Sequence, residues 1–326
     1  MMRSSRFGVF VLVAITVLLG TNCAYYNRII ARKNLVDGSN AYKGRKFPEA
    51  EQLFRDAIAR DSKGETVEGR TAQLFLARTL HSEYIGNRSD RAKAEEAITE
   101  YKKALALNPN DQSSYKAIAS LFENLQRNDE WLQWVTARSA NTSIPPEQRA
   151  EALTSLAAKK NSCANDITDT EQTKKTVTKD GKPSFQFVKP ASPEDFATLK
   201  QCIADGMQLA EQAVALETDQ VRNAKNLDID GMPNDQLAKN QDFLKVFESA
   251  RSYKASLLIQ SMRLAEMEGR NEDRDRLKAE SEVARRAFLD LSDVVKKIQA
   301  EIDERKAEAE AAAAGDRAKN ANANTK

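Results

Sequence analysis

The stretch Gly38–Asp61, GSNAYKGRKFPEAEQLFRDAIARD, carries the pattern from which the fold can be predicted. Small residues alternate in it with large ones: Gly38, Ala50 and Ala57 are small, and Tyr42, Phe47 and Phe54 are large. Between them, Gly44-Arg45-Lys46 predicts a turn, and Pro48 suits the first turn of the second helix, where a missing N–H is tolerated. The stretch therefore predicts two helices joined by a short turn, the second of them amphipathic.

This spacing resembles the tetratricopeptide repeat, a helix–turn–helix unit of about 34 residues. The resemblance implies that the two helices are antiparallel and approach closely at the small residues, with the large ones filling the remaining space. Ser62 departs from the pattern, because the family usually has a proline there. A second copy of the half-motif, AEEAITEYKKALALNPND at 94–111, has the proline, at Pro109. The resemblance implies an all-α, right-handed superhelix of antiparallel helix pairs. It also implies a non-catalytic scaffold that binds an unidentified protein or peptide on its concave face.

The pattern continues in four units between residues 28 and 218, at 31–64, 70–109, 110–143 and 147–218. In the second unit, about eight extra residues near 85–91 are expected to lengthen the turn. The fourth unit is expected to contain a small β-hairpin insertion at 165–192, since Asp180-Gly181 lies between two β-rich runs.

The rest of the chain is less regular. We expect a polar loop at 219–240, then a degenerate repeat with a long C-terminal helix at 241–311. Capping of the last repeat and self-association through that helix are both open. The low-complexity tail at 312–326 is predicted to be disordered, because it has too little apolar surface to order itself.

Composition excludes several function classes. The chain has 326 residues, of which 30% are charged, yet its net charge is only +2, so no basic field indicates nucleic acid. It contains one histidine, His81. The GxSxG, HExxH and glycine-rich phosphate motifs are also missing, so the sequence predicts no enzyme, no cofactor and no metal site.

The N-terminus has the features of a targeting segment. Two arginines precede the 14-residue apolar run Phe7–Gly20, and Cys23 follows at the position of the lipidated cysteine in bacterial lipoproteins. Residues 1–23 thus resemble a lipoprotein signal peptide, although Gly20 and Asn22 differ from the usual residues. Lipidation of Cys23 is the first interpretation.

Two alternatives to lipidation remain, namely an uncleaved membrane anchor that extends through Tyr26 and simple cleavage without a lipid. All three interpretations place the body of the protein in the bacterial cell envelope, on the extracytoplasmic (periplasmic) side.

Cys163 and Cys202 flank the predicted hairpin on antiparallel helices. In an exported protein this placement favours a disulfide, with two buried free thiols as the alternative. Their spacing fits no zinc or redox motif.

The inner face of such a repeat array is built mainly from the first helix of each pair. Its candidate binding residues are Arg32, Ser39, Tyr42, Arg78, Lys116 and Ser120. This mildly basic set suits an acidic or carboxylate ligand, while solvated charges without a ligand are the plain alternative. Leu35 and Ser39 replace two residues of the carboxylate clamp that chaperone-binding relatives use.

The sequence predicts a membrane-tethered scaffold for protein–protein interaction or complex assembly. The alternative is a periplasmic carrier of a small or hydrophobic ligand, bound between the array and the C-terminal helices. A deep apolar pocket would favour the carrier, and an open polar groove would favour the scaffold.

Overall fold

A computed structural model describes residues 25–179 and 181–323 of the chain. The predicted signal segment with Cys23, and Asp180 of the predicted hairpin turn, lie outside these residues. The chain divides into two compact units within its sixth helix. Unit 1 ends at Trp131, and unit 2 begins at Leu132.

Unit 1 consists of helices joined by short turns. The first helix, α1, covers residues 25–43. It is followed by α2 (Phe47–Arg60), α3 (Val67–Gly86), α4 (Arg91–Leu107), α5 (Gln112–Asn124) and α6 (Asn128–Ala140), the last of which crosses into unit 2.

The first helix pair packs as the small residues predict. A Cβ atom added to Gly38 of α1 would lie 2.8 Å from a ring carbon of Phe54 on α2, so only glycine allows this approach. Ala50, Phe54 and Ala57 of α2 are fully buried. Pro48 lies in the first turn of α2, as predicted.

The second pair shows the same packing but corrects the predicted insertion. Ala97, Tyr101 and Ala104 of α4 are buried. The turn between α3 and α4 spans only residues 87–90, because α3 itself runs for 20 residues. The extra residues therefore lengthen the helix rather than the turn, since Leu80 and Tyr84 remain on its buried side.

Unit 2 contains longer elements. They are α7 (Pro146–Thr168), β1 (Lys174–Lys179), β2 (Lys182–Phe187), α8 (Pro193–Ala215), α9 (Asp219–Arg222), a 3-10 turn (Ala224–Asn226), α10 (Asn234–Met267) and α11 (Asn271–Ala323). The helix α10 packs against α7, α8 and α11, so it is the central helix of this unit.

The hairpin has the predicted position and pairing. Strands β1 and β2 are antiparallel, with Lys174 opposite Phe187 and Lys179 opposite Lys182. Gly181 has a φ of 73°, as a tight two-residue turn requires. Phe187 is buried at the base of the hairpin, where its ring lies 4.5 Å from the guanidinium of Arg263 on α10.

Polar contacts tie α10 to its neighbours. Arg251 donates hydrogen bonds of 2.6 and 2.9 Å to the two carboxylate oxygens of Glu217, just after α8. It also donates to the carbonyl of Ala287 on α11 at 2.9 Å. Because both ends of this ion pair are largely buried, the contact fixes three segments together.

Two predictions at the C-terminal side need correction. The segment 219–240 is not one loop, because α9 and the 3-10 turn lie within it and α10 begins at Asn234. Leu237, fully buried, extends the apolar face of α10 toward the N-terminus. Helix α11 continues to Ala323, where a disordered tail was predicted; residues 311–314 are all alanine, the strongest helix former.

The predicted fold class is confirmed. The described part of the chain is mainly α-helical, its helices pack in adjacent pairs, a small antiparallel hairpin interrupts them, and a long helix ends the chain.

Candidate functional site

The candidate site begins where α1 meets α3. The hydroxyl of Tyr42 on α1 lies 3.1 Å from the hydroxyl of Ser82 on α3. The ring of Tyr42 also contacts Phe75 edge to face, with centroids 6.0 Å apart. Phe75, Arg78 and Ser82 are three and four residues apart, so they share one face of α3. This face of α3 meets the Tyr42 end of α1.

Arg78 extends the contacts from α3 to α5. Its guanidinium lies 5.3 Å from the centroid of the Phe75 ring, within the range of a cation–π interaction. It also donates a hydrogen bond of 3.1 Å to the hydroxyl of Ser113 on α5. The first helices of three successive pairs are therefore joined through one set of polar and aromatic side chains.

We call this set the helix-A row. Its members are Arg32, Ser39 and Tyr42 on α1, Phe75, Arg78 and Ser82 on α3, and Ser113, Lys116 and Ser120 on α5. The spacing within each helix is three, four or seven residues, which keeps the members of that helix on one face.

The structure brings only some of the predicted residues together. Tyr42 and Arg78 meet through the ring of Phe75. Ser39 is half-buried and donates to the carbonyl of Leu35 on its own helix at 2.7 Å. Arg32 is exposed on α1. Whether these residues line a binding surface stays a prediction.

Lys116 and Ser120 lie on the exposed side of α5. The hydroxyl of Ser120 accepts a hydrogen bond of 3.4 Å from Asn124 of the same helix. Sequence reasoning missed Phe75, Ser82 and Ser113, although their three- and four-residue spacing from Arg78 and Lys116 could have identified them.

The row carries three basic side chains and has two acids beside it, namely Asp111, which accepts a hydrogen bond of 2.9 Å from the hydroxyl of Ser113, and the buried Glu68. Glu68, at the start of α3, accepts a hydrogen bond of 3.2 Å from Arg28. The pKa of Glu68 is lowered by a hydrogen bond from its own backbone N–H and by Arg28, which together outweigh the opposing effect of burial. Arg32, Arg78 and Lys116 add three positive charges along the same helices.

His81 belongs to packing between α3 and α4. Its Nδ1 lies 3.4 Å from the hydroxyl of Tyr101. Burial, and secondarily the charge of Arg88, lowers the pKa of His81, and burial raises the pKa of Tyr101. Both side chains are therefore uncharged near pH 7. No three His, Cys, Asp or Glu side chains within 25–179 and 181–323 converge in a way that could hold a metal ion.

The predicted disulfide is present. Cys163 near the end of α7 and Cys202 on α8 are bonded, with their Cα atoms 6.2 Å apart. The bond ties together the two helices that flank the hairpin. Disulfides of this kind are typical of proteins in oxidising, extracytoplasmic compartments.

Surface clefts occur in both units. One, in unit 1, lies between α1 and α2 and is lined by Asp37, Asn40, Ala41, Lys46, Glu49 and Leu53. Another, in unit 2, lies beside the segment before α10 and is lined by Asp230, Gly231, Met232, Pro233, Glu301, Glu304, Arg305 and Glu308. Both are open to solvent and largely polar, unlike the deep apolar pocket expected of a carrier.

Arg305 of α11 lines the second cleft and forms hydrogen bonds with the segment before α10. Its guanidinium donates to the carbonyls of Met232 at 2.6 Å and Asp230 at 2.7 Å, and to the side chain of Asn234 at 2.9 Å. Glu301 accepts from the Nε of the same guanidinium at 2.5 Å. The arginine thus fastens the segment before α10 to the last helix.

No helix among the described residues is both long enough and apolar enough to span a bilayer. The chain matches no family model, and it matches no curated protein. Among solved structures, one similar chain comes from a functional characterization of pilF from Pseudomonas aeruginosa. It is 14% identical, the match covers 83% of this chain and 99% of that chain, and the TM-score is 0.32.

Proposed function

We propose that this protein is a non-catalytic scaffold that binds an acidic or carboxylate-bearing segment of another envelope protein along the helix-A row. The N-terminal segment tethers it to a membrane, and its body faces the extracytoplasmic side. Its role is to hold or assemble protein partners.

The main support for this proposal is that the helix-A row is continuous across α1, α3 and α5. The contacts of Tyr42 with Ser82 and Phe75, and of Arg78 with Phe75 and Ser113, hold its aromatic and basic side chains in place. Aromatic residues and arginine are the types that most often dominate binding energy at protein interfaces. Side chains that are already fixed lose less entropy when a partner binds.

The charge of the row indicates the class of partner. Arg32 and Lys116 are exposed at the two ends of the row, with Arg78 half-exposed between them. Such a spacing of cations complements carboxylates on an extended or helical peptide, and it would repel a basic one.

The tether and the compartment are supported by separate features. Arginines, the apolar run Phe7–Gly20 and Cys23 follow one another in the order of a lipoprotein signal. Lipidation with two or more acyl chains would anchor the protein stably, whereas one chain alone is marginal. The Cys163–Cys202 disulfide is consistent with the oxidising side of the membrane.

Charge reversal within the row tests the proposed binding face. The double variant Arg78→Glu/Lys116→Glu is crosslinked in native envelopes, and captured proteins are quantified by mass spectrometry. We expect recovery of the main partner to fall about tenfold or more, which corresponds to about 1.4 kcal/mol of binding free energy.

The matched control reverses two exposed charges outside the row, in Arg60→Glu/Lys63→Glu. It should capture the partner as well as the unchanged protein does. Circular dichroism should show equal helicity in all three proteins. Equal loss of capture in both double variants would reject the helix-A row as the binding face.

A further inference from the structure

Large apolar and aromatic side chains remain uncovered on α1. Tyr25 is 69% exposed, Tyr26 60%, Ile29 48% and Val36 51%. The other exposed large hydrophobic residues in the described part of the chain lie on α3, α6, β2 and α11, one or two on each. Single exposed residues are ordinary, whereas a group of four on one helix indicates a contact surface.

These four side chains form one stripe along the helix. Tyr25, Ile29 and Val36 are separated by four and seven residues, and Tyr26 lies beside Tyr25 at the edge. The stripe lies on the side opposite Ala31 and Gly38, which are buried in the body of unit 1. At about 100° per residue, the four positions together cover about 100° of the helix circumference. We call this set the outer stripe.

Two lysines lie within the arc of the outer stripe. Lys33 and Lys43 are exposed, and at about 100° per residue Lys33 falls between Ile29 and Tyr26 while Lys43 is in line with Tyr25. The one acidic residue of α1, Asp37, pairs with Lys33 at 3.0 Å. Lysines in an apolar face can lay their hydrocarbon stems along it and carry the ammonium group to the headgroups, as in helices that lie in the membrane interface.

The position of the stripe in the chain favours a lipid surface over a protein partner. Tyr25 comes two residues after Cys23, the predicted site of lipidation. A lipid on Cys23 would therefore hold Tyr25 at the membrane surface. Tyrosine is also enriched at the headgroup level of bilayers, because its ring is apolar and its hydroxyl is polar.

We propose that α1 lies along the bilayer surface, with the outer stripe at the boundary between headgroups and acyl chains and with Lys33 and Lys43 on anionic headgroups. This inference rests on the proposed tether and adds an orientation to it. The opposite side of α1, which packs on unit 1, then faces away from the membrane.

If α1 stood upright instead of lying flat, its two ends would lie at different depths relative to the membrane. From residue 26 to residue 40 the helix rises about 21 Å at 1.5 Å per residue. If α1 stood upright on its tether, residue 40 would lie beyond the headgroups. If α1 lies flat, both residues stay within about 10 Å of the acyl boundary, as interfacial helices do.

Quenching by spin-labelled lipid distinguishes the two orientations. The full chain is purified from membranes and reconstituted in vesicles of phosphatidylethanolamine and phosphatidylglycerol that contain a nitroxide-labelled lipid. A fluorophore is attached in three single variants, Tyr26→Cys near the tether, Asn40→Cys at the far end of the helix, and Ala106→Cys on α4. Cys163 and Cys202 are bonded to each other, and the unchanged chain controls for labelling at Cys23.

We expect quenching at Asn40 to be within about twofold of that at Tyr26 and several times that at Ala106, because a flat helix keeps both ends at the interface. Adding Ile29→Glu and Val36→Glu to the Asn40 reporter should reduce its quenching to the level at Ala106. The control substitution Val67→Glu, at a position that is 61% exposed on α3, should leave it unchanged.

Three other outcomes would each overturn the proposed orientation of α1. Quenching at Tyr26 but not at Asn40 would overturn the flat orientation while leaving the tether in place. Absence of quenching at both positions would reject the tether as well. A label at Asn40 that is shielded from water but not quenched by the lipid would show that a second copy or another protein covers the outer stripe, which also overturns the inference.

Discussion

Units 1 and 2 are both built from helix pairs, but they are held together in different ways. In unit 1, neighbouring helices approach through small residues such as Gly38, Ala50 and Ala57, with Phe54 filling the space between them. In unit 2, the 34-residue helix α10 packs on three other helices. A disulfide and buried polar contacts supplement its core.

A repeat pattern therefore describes the packing of unit 1 but not that of unit 2. Helices of unit 1 pack on their neighbours in sequence, which is the arrangement of repeat proteins. In unit 2, Gln260 of α10 donates to Asn165 of α7, across a sequence separation of 95 residues. A short repeat motif carries no information about contacts of that length.

Truncating a buried phenylalanine in the core of either unit should lower the stability of the protein the most. Phe54 in unit 1 and Phe247 in unit 2 are both fully buried. Replacing either one with alanine should lower the free energy of unfolding by about 3–5 kcal/mol. Hydrogen exchange should show that Phe54→Ala loosens α2 to α4, while Phe247→Ala loosens α7, α10 and α11.

The exposed substitution Val67→Ala serves as the control and should change stability by less than about 0.5 kcal/mol. If Phe54→Ala reduced protection throughout the chain to the same degree, the division into two units would be wrong.

Much of unit 1 could be predicted from the sequence because its signals are local. The turn at 44–46, the position of Pro48 and the buried side of α4 follow from spacing within a few residues. The turn after α3 was misjudged because the repeat pattern gives the number of extra residues but not whether they continue the helix.

Unit 2 was harder to predict for physical reasons. The start of α10 was missed because its first turns are polar except for Leu237, whose burial depends on packing against distant elements. The hairpin could be found because Asp180-Gly181 is a strong local turn signal. In the candidate site, Tyr42 and Arg78 were identified, but Phe75 between them was not, because a half-buried aromatic residue on a helix looks like part of the core.

The second effect concerns the disulfide, which only unit 2 has among the described residues. The Cys163–Cys202 bond closes a loop with a sequence separation of 39 residues. Its removal in Cys163→Ala/Cys202→Ala should cost about 4 kcal/mol in the chain-entropy model. Chemical denaturation should show the loss, and hydrogen exchange should place it in α7 and α8. Equal loss of protection in α2 and α3 would contradict this assignment.

The smallest expected effect is a change in how the stability of unit 1 depends on pH. Glu51 on α2 accepts hydrogen bonds from Lys93 at 2.6 Å and Arg55 at 2.9 Å. Burial raises the pKa of Glu51, but these two hydrogen bonds outweigh it, so the pKa lies below the ordinary value of 4.5. The interaction therefore stabilises unit 1 in full above pH 4.5, and this stability is lost as the pH falls through the lowered pKa.

Glu51→Gln should remove this part of the acid sensitivity. Its unfolding free energy should be lower than that of the unchanged protein at pH 7, and the two should converge as the pH falls below 4.5. Asp205→Asn in unit 2 is the control, and it should leave the acid profile of unit 1 unchanged. A constant difference between Glu51→Gln and the unchanged protein from pH 7 to pH 3 would contradict the role assigned to this ion pair.

Site-specific photo-crosslinking in intact envelopes tests the proposed binding face most directly. A photo-reactive amino acid is placed at Lys116, at Ser120 or, as the control, at Ala106, all of which are exposed in unit 1. We expect the two helix-A row positions to yield an adduct with the same protein and Ala106 to yield none. Adducts of equal yield at all three positions, or none at Lys116 and Ser120, would contradict the proposed binding face.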